Sequence, residues 1–290
     1  MIEKQNDKDS AMTFSSEWMI RITVILAVLI GLAFTVYWEV LSEVSVLLMK
    51  RKDASHGYLI PFISVYIVWI DRKELKELRP GFALLQGSII VAIGFLMLFL
   101  FGDSKDVTLP ALSFLVVAIG LFIFFLGKDV FKGLWFPLVF LVTLIPFPRE
   151  WYFQLGRWWR DVGITSVWVL QLFDLSIYRD GYMVYLPNCD VEVVHGCSGV
   201  RYLLPYFVLG LAYAYLYKNT VKSRVLVVIA TIPLSLVATF FRLLFVFLGV
   251  YFFGCFMAGK PHIYISWAVF IGVMALGVLV DIYFVKKVQD

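Results

Sequence analysis

Charge is scarce in this chain. Asp, Glu, Lys and Arg make up 16% of its 290 residues, where a soluble domain carries about 25%. What fills the gap is apolar: 61% of the residues are hydrophobic and the mean hydropathy is +0.88. A water-soluble fold has no way to cover that much apolar side chain, so the chain reads as a polytopic membrane protein. Cysteine is nearly absent, with three residues, which excludes a small disulfide-stapled secreted module. The 25 Lys and Arg exceed the 21 Asp and Glu by four and are scattered in short segments, so nothing resembles a nucleic-acid-binding patch. Low-complexity stretches and internal repeats are missing too, and the composition excludes a disordered chain. No small-residue cleavage site follows the first apolar run, and residues 1–17 are polar and mixed in charge. That run is therefore expected to be retained rather than removed as a signal.

What is present is a series of apolar runs. A helix needs about 20 mostly apolar residues to cross the hydrocarbon core, and eight candidates lie near 20–41, 57–71, 82–101, 108–127, 133–148, 198–217, 225–251 and 264–285. The expected fold is an all-α polytopic membrane protein of about eight transmembrane helices, forming a single integral membrane domain over 1–290. Residues 1–19 form a polar cytoplasmic tail, 149–197 an outer-face interfacial segment and 198–285 the catalytic helices. The positive-inside rule favours both termini in the cytoplasm. Lys4, Lys8, Arg72, Lys73, Lys128, Lys132, Lys218, Lys222, Lys286 and Lys287 then lie inside, whereas Lys50, Arg51 and Lys52 run the other way.

The interfacial segment has a pattern of its own. Trp151, Leu155, Trp158, Trp159, Val162 and Thr165 fall at helical spacing, with Arg157, Arg160 and Asp161 interleaved. A helix of this composition lies in the membrane interface. After it, alternating stretches at 182–186 and 190–194 flank Pro187, Asn188 and Asp190, which predicts a small β-hairpin.

Ionisable groups inside spans are expensive and mark function. Arg242 lies deep in VATFFRLLFVF, and Arg201 lies near the outer start of its span, where its charge can also snorkel to headgroups. The histidines are His56, His195 and His262, and the cysteines are Cys189, Cys197 and Cys255. In the predicted topology Cys197, Arg242 and His262 share the outer face at the ends of consecutive helices. A thiolate needs a cationic neighbour to lower its pKa, an Arg can hold an oxyanion, and a His can move protons. Ser198 is placed to cap the following helix, and Arg201, four residues after Cys197, shares its helix face. No cofactor or metal is expected, because no C-x-x-C, H-x-x-x-H or H-E-x-x-H spacing exists. Three cysteines also permit a disulfide of Cys189 with Cys197, or one using Cys255, and leave one thiol over. The competing reading is a transporter, or a polymerase or export component for envelope polysaccharide. Transporters more often show repeats and broken helices around the bilayer midplane.

These residues resemble a known family. The stretch RDGYMVYLPNCDVEVVHGCSGVRYL, residues 179–203, is similar to the catalytic segment of exosortases and archaeosortases, with its Cys-Ser-Gly followed by an Arg-bearing apolar helix. SHGYLIPFISVYIVWIDRKEL, residues 55–75, resembles the family's early Ser-His-Gly segment. Arg242 stands at the family's Arg position, and His262 with Trp267 resembles its terminal His segment. Three positions depart from the pattern. Thr239 replaces an Asn three residues before the Arg, and Ile263 and Ser266 stand where many members have Asp and Gly. The resemblance implies a membrane cysteine protease or transpeptidase of the cytoplasmic (inner) membrane, with its active site on the outer face. Its partners would be membrane lipid and the C-terminal sorting signals of exported proteins: a motif such as Pro-Glu-Pro, one transmembrane helix and a basic tail. The family is often associated with exopolysaccharide production. Carried over, Cys197 is the nucleophile, Arg242 the oxyanion or carboxyl stabiliser and His262 the general acid/base, supported by Arg201, Ser198, Thr239 and Trp267.

Overall fold

The structure of the protein is a computed structural model that describes residues 2–50, 56–194 and 199–289. The chain is mostly helical and forms two compact units, residues 1–148 and 149–290.

In the first unit α1 (Ile2–Thr35) is followed by α2 (Trp38–Lys50), the two bent by 85°. Tyr37 in the break is fully buried. Its ring meets Phe114 edge-on at 5.1 Å, and its hydroxyl accepts a bond from Ser113 at 3.3 Å. Next come α3 (Leu59–Ile70), α4 (Arg72–Glu77), α5 (Leu84–Phe101) and α6 (Thr108–Phe140). The buried Ser64 hydroxyl of α3 donates to the Pro137 carbonyl of α6 at 3.0 Å.

Helices α5 and α6 approach closely because small residues line their seam, the usual device where lipid removes the hydrophobic drive between helices. At Gly87 an added Cβ would lie 2.4 Å from the Phe124 Cβ. Helix α6 is itself interrupted at Gly127 (φ 84°, ψ 175°), a left-handed φ that a side chain would strain. The loop before α5 straps the break: the Gly81 amide donates to the Leu126 carbonyl at 3.1 Å and the Ala83 amide to the Phe124 carbonyl at 3.3 Å. The carbonyls released by the interruption thereby find donors.

The second unit opens with α7 (Arg149–Ile164) and α8 (Ser166–Leu172), then strands β1 (Tyr178–Asp180), β2 (Met183–Leu186) and β3 (Cys189–Glu192), and ends in α9 (Val200–Tyr217), α10 (Val221–Phe253) and α11 (Pro261–Gln289). Thr220 caps α10 by accepting the Ser223 amide at 3.2 Å. The expected hairpin is β2–β3, closed by Pro187 and Asn188, with Leu186 opposite Cys189. The structure adds β1 to it, so the sheet is three-stranded and antiparallel. The additional turn holds Gly181 at φ 56°. Val184 and Leu186 alternate inward and pack with Ile164, Val167, Leu170, Val193, Leu243, Phe247 and Val250. The sheet is thereby seated on the C-terminal half of α10. On α7 the exposed and buried faces divide the tryptophans: Trp151 and Trp158 are exposed, while Trp159 is buried and donates to the Ser235 hydroxyl of α10 at 3.0 Å. At the far end of α11, Asp281 accepts from Lys218 at 2.5 Å and from the Tyr213 hydroxyl at 2.7 Å.

Four helices among the described residues are long and apolar enough to cross a membrane: 84–101, 108–144, 221–253 and 261–283. A fifth is formed if the bent pair 19–35 and 38–50 counts as one. The sequence predicts eight, and the differences have physical origins. The run at 57–71 yields the 12-residue α3, too short to span unaided. The runs at 108–127 and 133–148 share one helical element broken at Gly127. Helix α9 carries Arg201 and tyrosines 202, 206, 213, 215 and 217, which dilute its apolar character.

Gly87→Ala is expected to destabilise the first unit by roughly 1–3 kcal/mol through overpacking. Gly272→Ala, where the added Cβ meets nothing within 4 Å, should be neutral or stabilising. Thermal unfolding of the two variants in detergent reads the difference.

Candidate functional site

Arg242 has the most demanding position of the candidate residues. It belongs to an apolar helix and is 3% exposed, where an ionised group must be hydrogen-bonded to be tolerated. Its Nε donates to the Ser266 hydroxyl of α11 at 2.8 Å, and its guanidinium lies 5.8 Å from the centroid of the Tyr202 ring of α9. Three helices therefore converge on this cation. Ser266 is held in turn, since its hydroxyl donates to the His262 carbonyl at 2.6 Å. Tyr202 reaches the same turn by donating to the Ser266 carbonyl at 3.4 Å. One hydroxyl thus connects Arg242 to the turn of α11 that carries His262.

The His262 ring is half-buried, and its Nδ1 meets the Gly259 carbonyl. A carbonyl only accepts, so Nδ1 carries the proton and Nε2 is the basic nitrogen of the neutral ring. A ring held in this way has one nitrogen committed to the backbone and the other available for proton transfer.

Thr239, one turn before Arg242, is fully buried. Its hydroxyl donates to the Ser235 carbonyl at 2.7 Å, so its donor is spent on its own helix. The backbone of Gly199, at the N-cap of α9, lies directly against Thr239. A Cβ added at Gly199 would fall 1.5 Å from the Thr239 Oγ1. Arg201 is half-buried, and its buried Nε has no hydrogen-bond partner among the described residues. Trp267 points away from the group: it is 61% exposed and meets Phe270 edge-on at 6.1 Å. The expected nucleophile Cys197 and the expected cap Ser198 lie outside the described residues, as does His195. The structure therefore brings Arg242, Thr239, His262 and the N-terminal turn of α9 together, and leaves Trp267 apart.

Of the disulfide alternatives that the sequence leaves open, the structure has Cys189–Cys255, with Cα atoms 5.4 Å apart and a sequence separation of 66. Neither cysteine is therefore available to oxidise Cys197. The bond ties the hairpin turn to the segment between α10 and α11. Asn188 reinforces it by donating to the Tyr251 carbonyl at 2.8 Å. Closing a loop of this length contributes about 4 kcal/mol on chain-entropy grounds. Among the described residues no group of three His, Cys, Asp or Glu side chains is placed to hold a metal ion.

Sequence reasoning notes Ser266 as a departure and gives it no role, and it passes over Tyr202. The available signal was the four-residue step from His262 to Ser266, which puts both on one face of α11.

Two outcomes follow. Unfolded under non-reducing conditions, the protein should take up one equivalent of maleimide, and three after reduction, as read by intact mass. Gly199→Ala should lower stability by at least about 1–3 kcal/mol, measured by thermal unfolding, because the Thr239 hydroxyl is in the way.

Comparison with known proteins adds the family. No curated protein and no solved structure matches the chain significantly. A family profile described as transmembrane exosortase matches residues 48–279. That range includes Arg242, His262, Ser266 and the whole sheet. A match over most of the chain, together with several membrane-length apolar helices, makes this a multi-pass membrane protein that belongs to the transmembrane exosortase family.

Proposed function

We propose that the protein is a cysteine transpeptidase of the cytoplasmic membrane that cleaves C-terminal sorting signals of exported proteins and transfers them to a surface acceptor. The observation that supports this best is the linkage of Arg242 to the His262 turn through Ser266, with Gly199, two residues after Cys197, packed against Thr239 on the same helix as Arg242. A cation and an imidazole held on facing helices, beside the chain that leads out of a Cys-Ser-Gly segment, suit acyl transfer.

In the proposed reaction His262 takes the Cys197 thiol proton on Nε2, and the resulting thiolate attacks the scissile carbonyl and forms a C–S bond. The electron pair moves to oxygen, and the resulting oxyanion is met by the Arg242 guanidinium. His262 delivers a proton through Nε2 to the leaving amine as the C–N bond breaks, giving a thioester. An acceptor amine, hydroxyl or water then attacks the thioester, and His262 takes its proton as the Cys197 thiolate leaves. Arg201 is a further candidate for charge stabilisation at the same helix start. The disulfide fits an oxidising compartment, which supports an outer-face site with both termini cytoplasmic. On this reading α3, α9 and the two halves of α6 are separate crossings, which restores the count of eight.

Cys197→Ala should eliminate processing of a substrate carrying a Pro-Glu-Pro motif, a transmembrane helix and a basic tail, while the protein's thermal unfolding stays unchanged. With the wild-type protein a thiol-reactive analogue of that signal should form an adduct that maps to Cys197. A transporter or polysaccharide polymerase forms no such adduct, and full processing by Cys197→Ala would falsify the proposal.

A further inference from the structure

Three buried side-chain polar atoms lack a hydrogen-bond partner among the described residues: the Nε of Arg160, the Nε of Arg201 and the hydroxyl of Ser166. Two of the three are guanidinium nitrogens, and the reaction proposed above gives Arg160 no task. Its side chain is only 6% exposed. It makes one hydrogen bond, from Nη1 to the Val193 carbonyl at the long distance of 3.4 Å. The guanidinium lies on the Tyr182 ring, 3.4 Å from its centroid, which orients the plane and covers one face. No carboxylate among the described residues is within ion-pair distance of it. The neighbouring Asp161 is engaged instead by the Tyr182 hydroxyl at 2.6 Å.

A guanidinium stays charged at any working pH, and a buried charge without a counter-charge is strongly unfavourable. A buried guanidinium with nothing opposite it points to an anion supplied from outside the chain. The geometry narrows the class. Nη1 is used on one side, so the open edge is the one formed by Nε and Nη2, two parallel N–H groups whose spacing matches a carboxylate. The site is also placed for the reaction. Val193, whose carbonyl Arg160 holds, leads into the 195–198 segment, and Arg201 follows that segment by three residues.

We propose that Arg160 is a carboxylate-binding residue of the substrate site, taking an acidic side chain of the bound polypeptide in a two-bond fork through Nε and Nη2. The inference rests on the transpeptidase reading and adds a residue to it: Arg160 is the group that reads the acid of the sorting motif.

The test uses the full-length Cys197→Ala protein in nanodiscs, which binds without turning over, and two synthetic peptides. Both carry one transmembrane helix and an Arg-rich tail, preceded by Pro-Glu-Pro in one and Pro-Gln-Pro in the other. A charge-assisted two-bond fork should favour the Glu peptide by at least about tenfold in Kd. Adding Arg160→Met should bring the two affinities within about twofold, because the open edge is gone. Its thermal unfolding midpoint should hold or rise, since an unneutralised charge has been removed. A preference for Glu that survives Arg160→Met overturns the inference, as does equal binding of both peptides, or of neither, by the parent. A marked fall in the midpoint, with the preference retained, assigns Arg160 to the structure alone. The transpeptidase reading is judged separately by whether the wild-type protein processes either peptide in a Cys197-dependent way.

Discussion

A guanidinium inside an apolar helix has to be met by oxygen atoms, and in the second unit that requirement organises three helices. Arg242 of α10 is met by the Ser266 hydroxyl of α11, and Tyr202 of α9 leans over it from the other side. These contacts offset part of the large cost at which a charged side chain enters an apolar environment. The same contacts fix where His262 begins its helix, because Ser266 also binds the His262 carbonyl. Stability and the proposed chemistry thus draw on one set of hydrogen bonds. Holding the cation through Ser266 and anchoring the turn that carries His262 are a single structural problem here.

The sheet extends this arrangement outward. It is small, yet it is seated on α10 through buried Val184 and Leu186 and fastened at its turn by Cys189–Cys255 and Asn188. The chain that leaves β3 therefore starts from a fixed point before it enters the Cys-Ser-Gly segment, and it resumes at Gly199 against Thr239. Both flanks of residues 195–198 are thereby anchored to α10, through Val193 on one side and Gly199 on the other.

Much of this was legible in the sequence where one residue type outweighs its surroundings. Arg242 stands out because a single charge in an apolar run has few explanations. The β2–β3 hairpin follows from period-two alternation around Pro187 and Asn188. Strand β1 was missed although Asp180 and Gly181 form a strong hairpin signal, because three residues are too few for alternation to register. Fewer helices have membrane length than the sequence has apolar runs, because hydropathy sees apolar length but not geometry. Lys128, Asp129 and Lys132 separate the runs at 108–127 and 133–148 in sequence, yet one helical element interrupted at Gly127 carries both, and the tyrosines of α9 leave it helical while making it more polar. The disulfide could not be chosen from spacing, since connectivity depends on which turns meet in space. Ser266 illustrates the same limit: four residues from His262 places it on a known face of α11, but only packing decides that this face meets Arg242. For Cys197 the sequence supplies the motif, and the described residues supply the flanks.

The Lys218–Asp281 pair has a consequence beyond its own energy. An apolar helix in lipid has little to fix its rotation about its axis, since one aliphatic face packs much like another. Helix α11 carries two polar contacts on one side: Ser266 near its start and Asp281 about four turns later, within roughly 60° of each other around the axis. Turning α11 by a single residue position, about 100°, would break the Arg242–Ser266 and Lys218–Asp281 contacts at once. The two contacts act as index marks at either end of an otherwise uniform rod. A salt bridge remote from the proposed chemistry thereby helps set the angle at which His262 is presented.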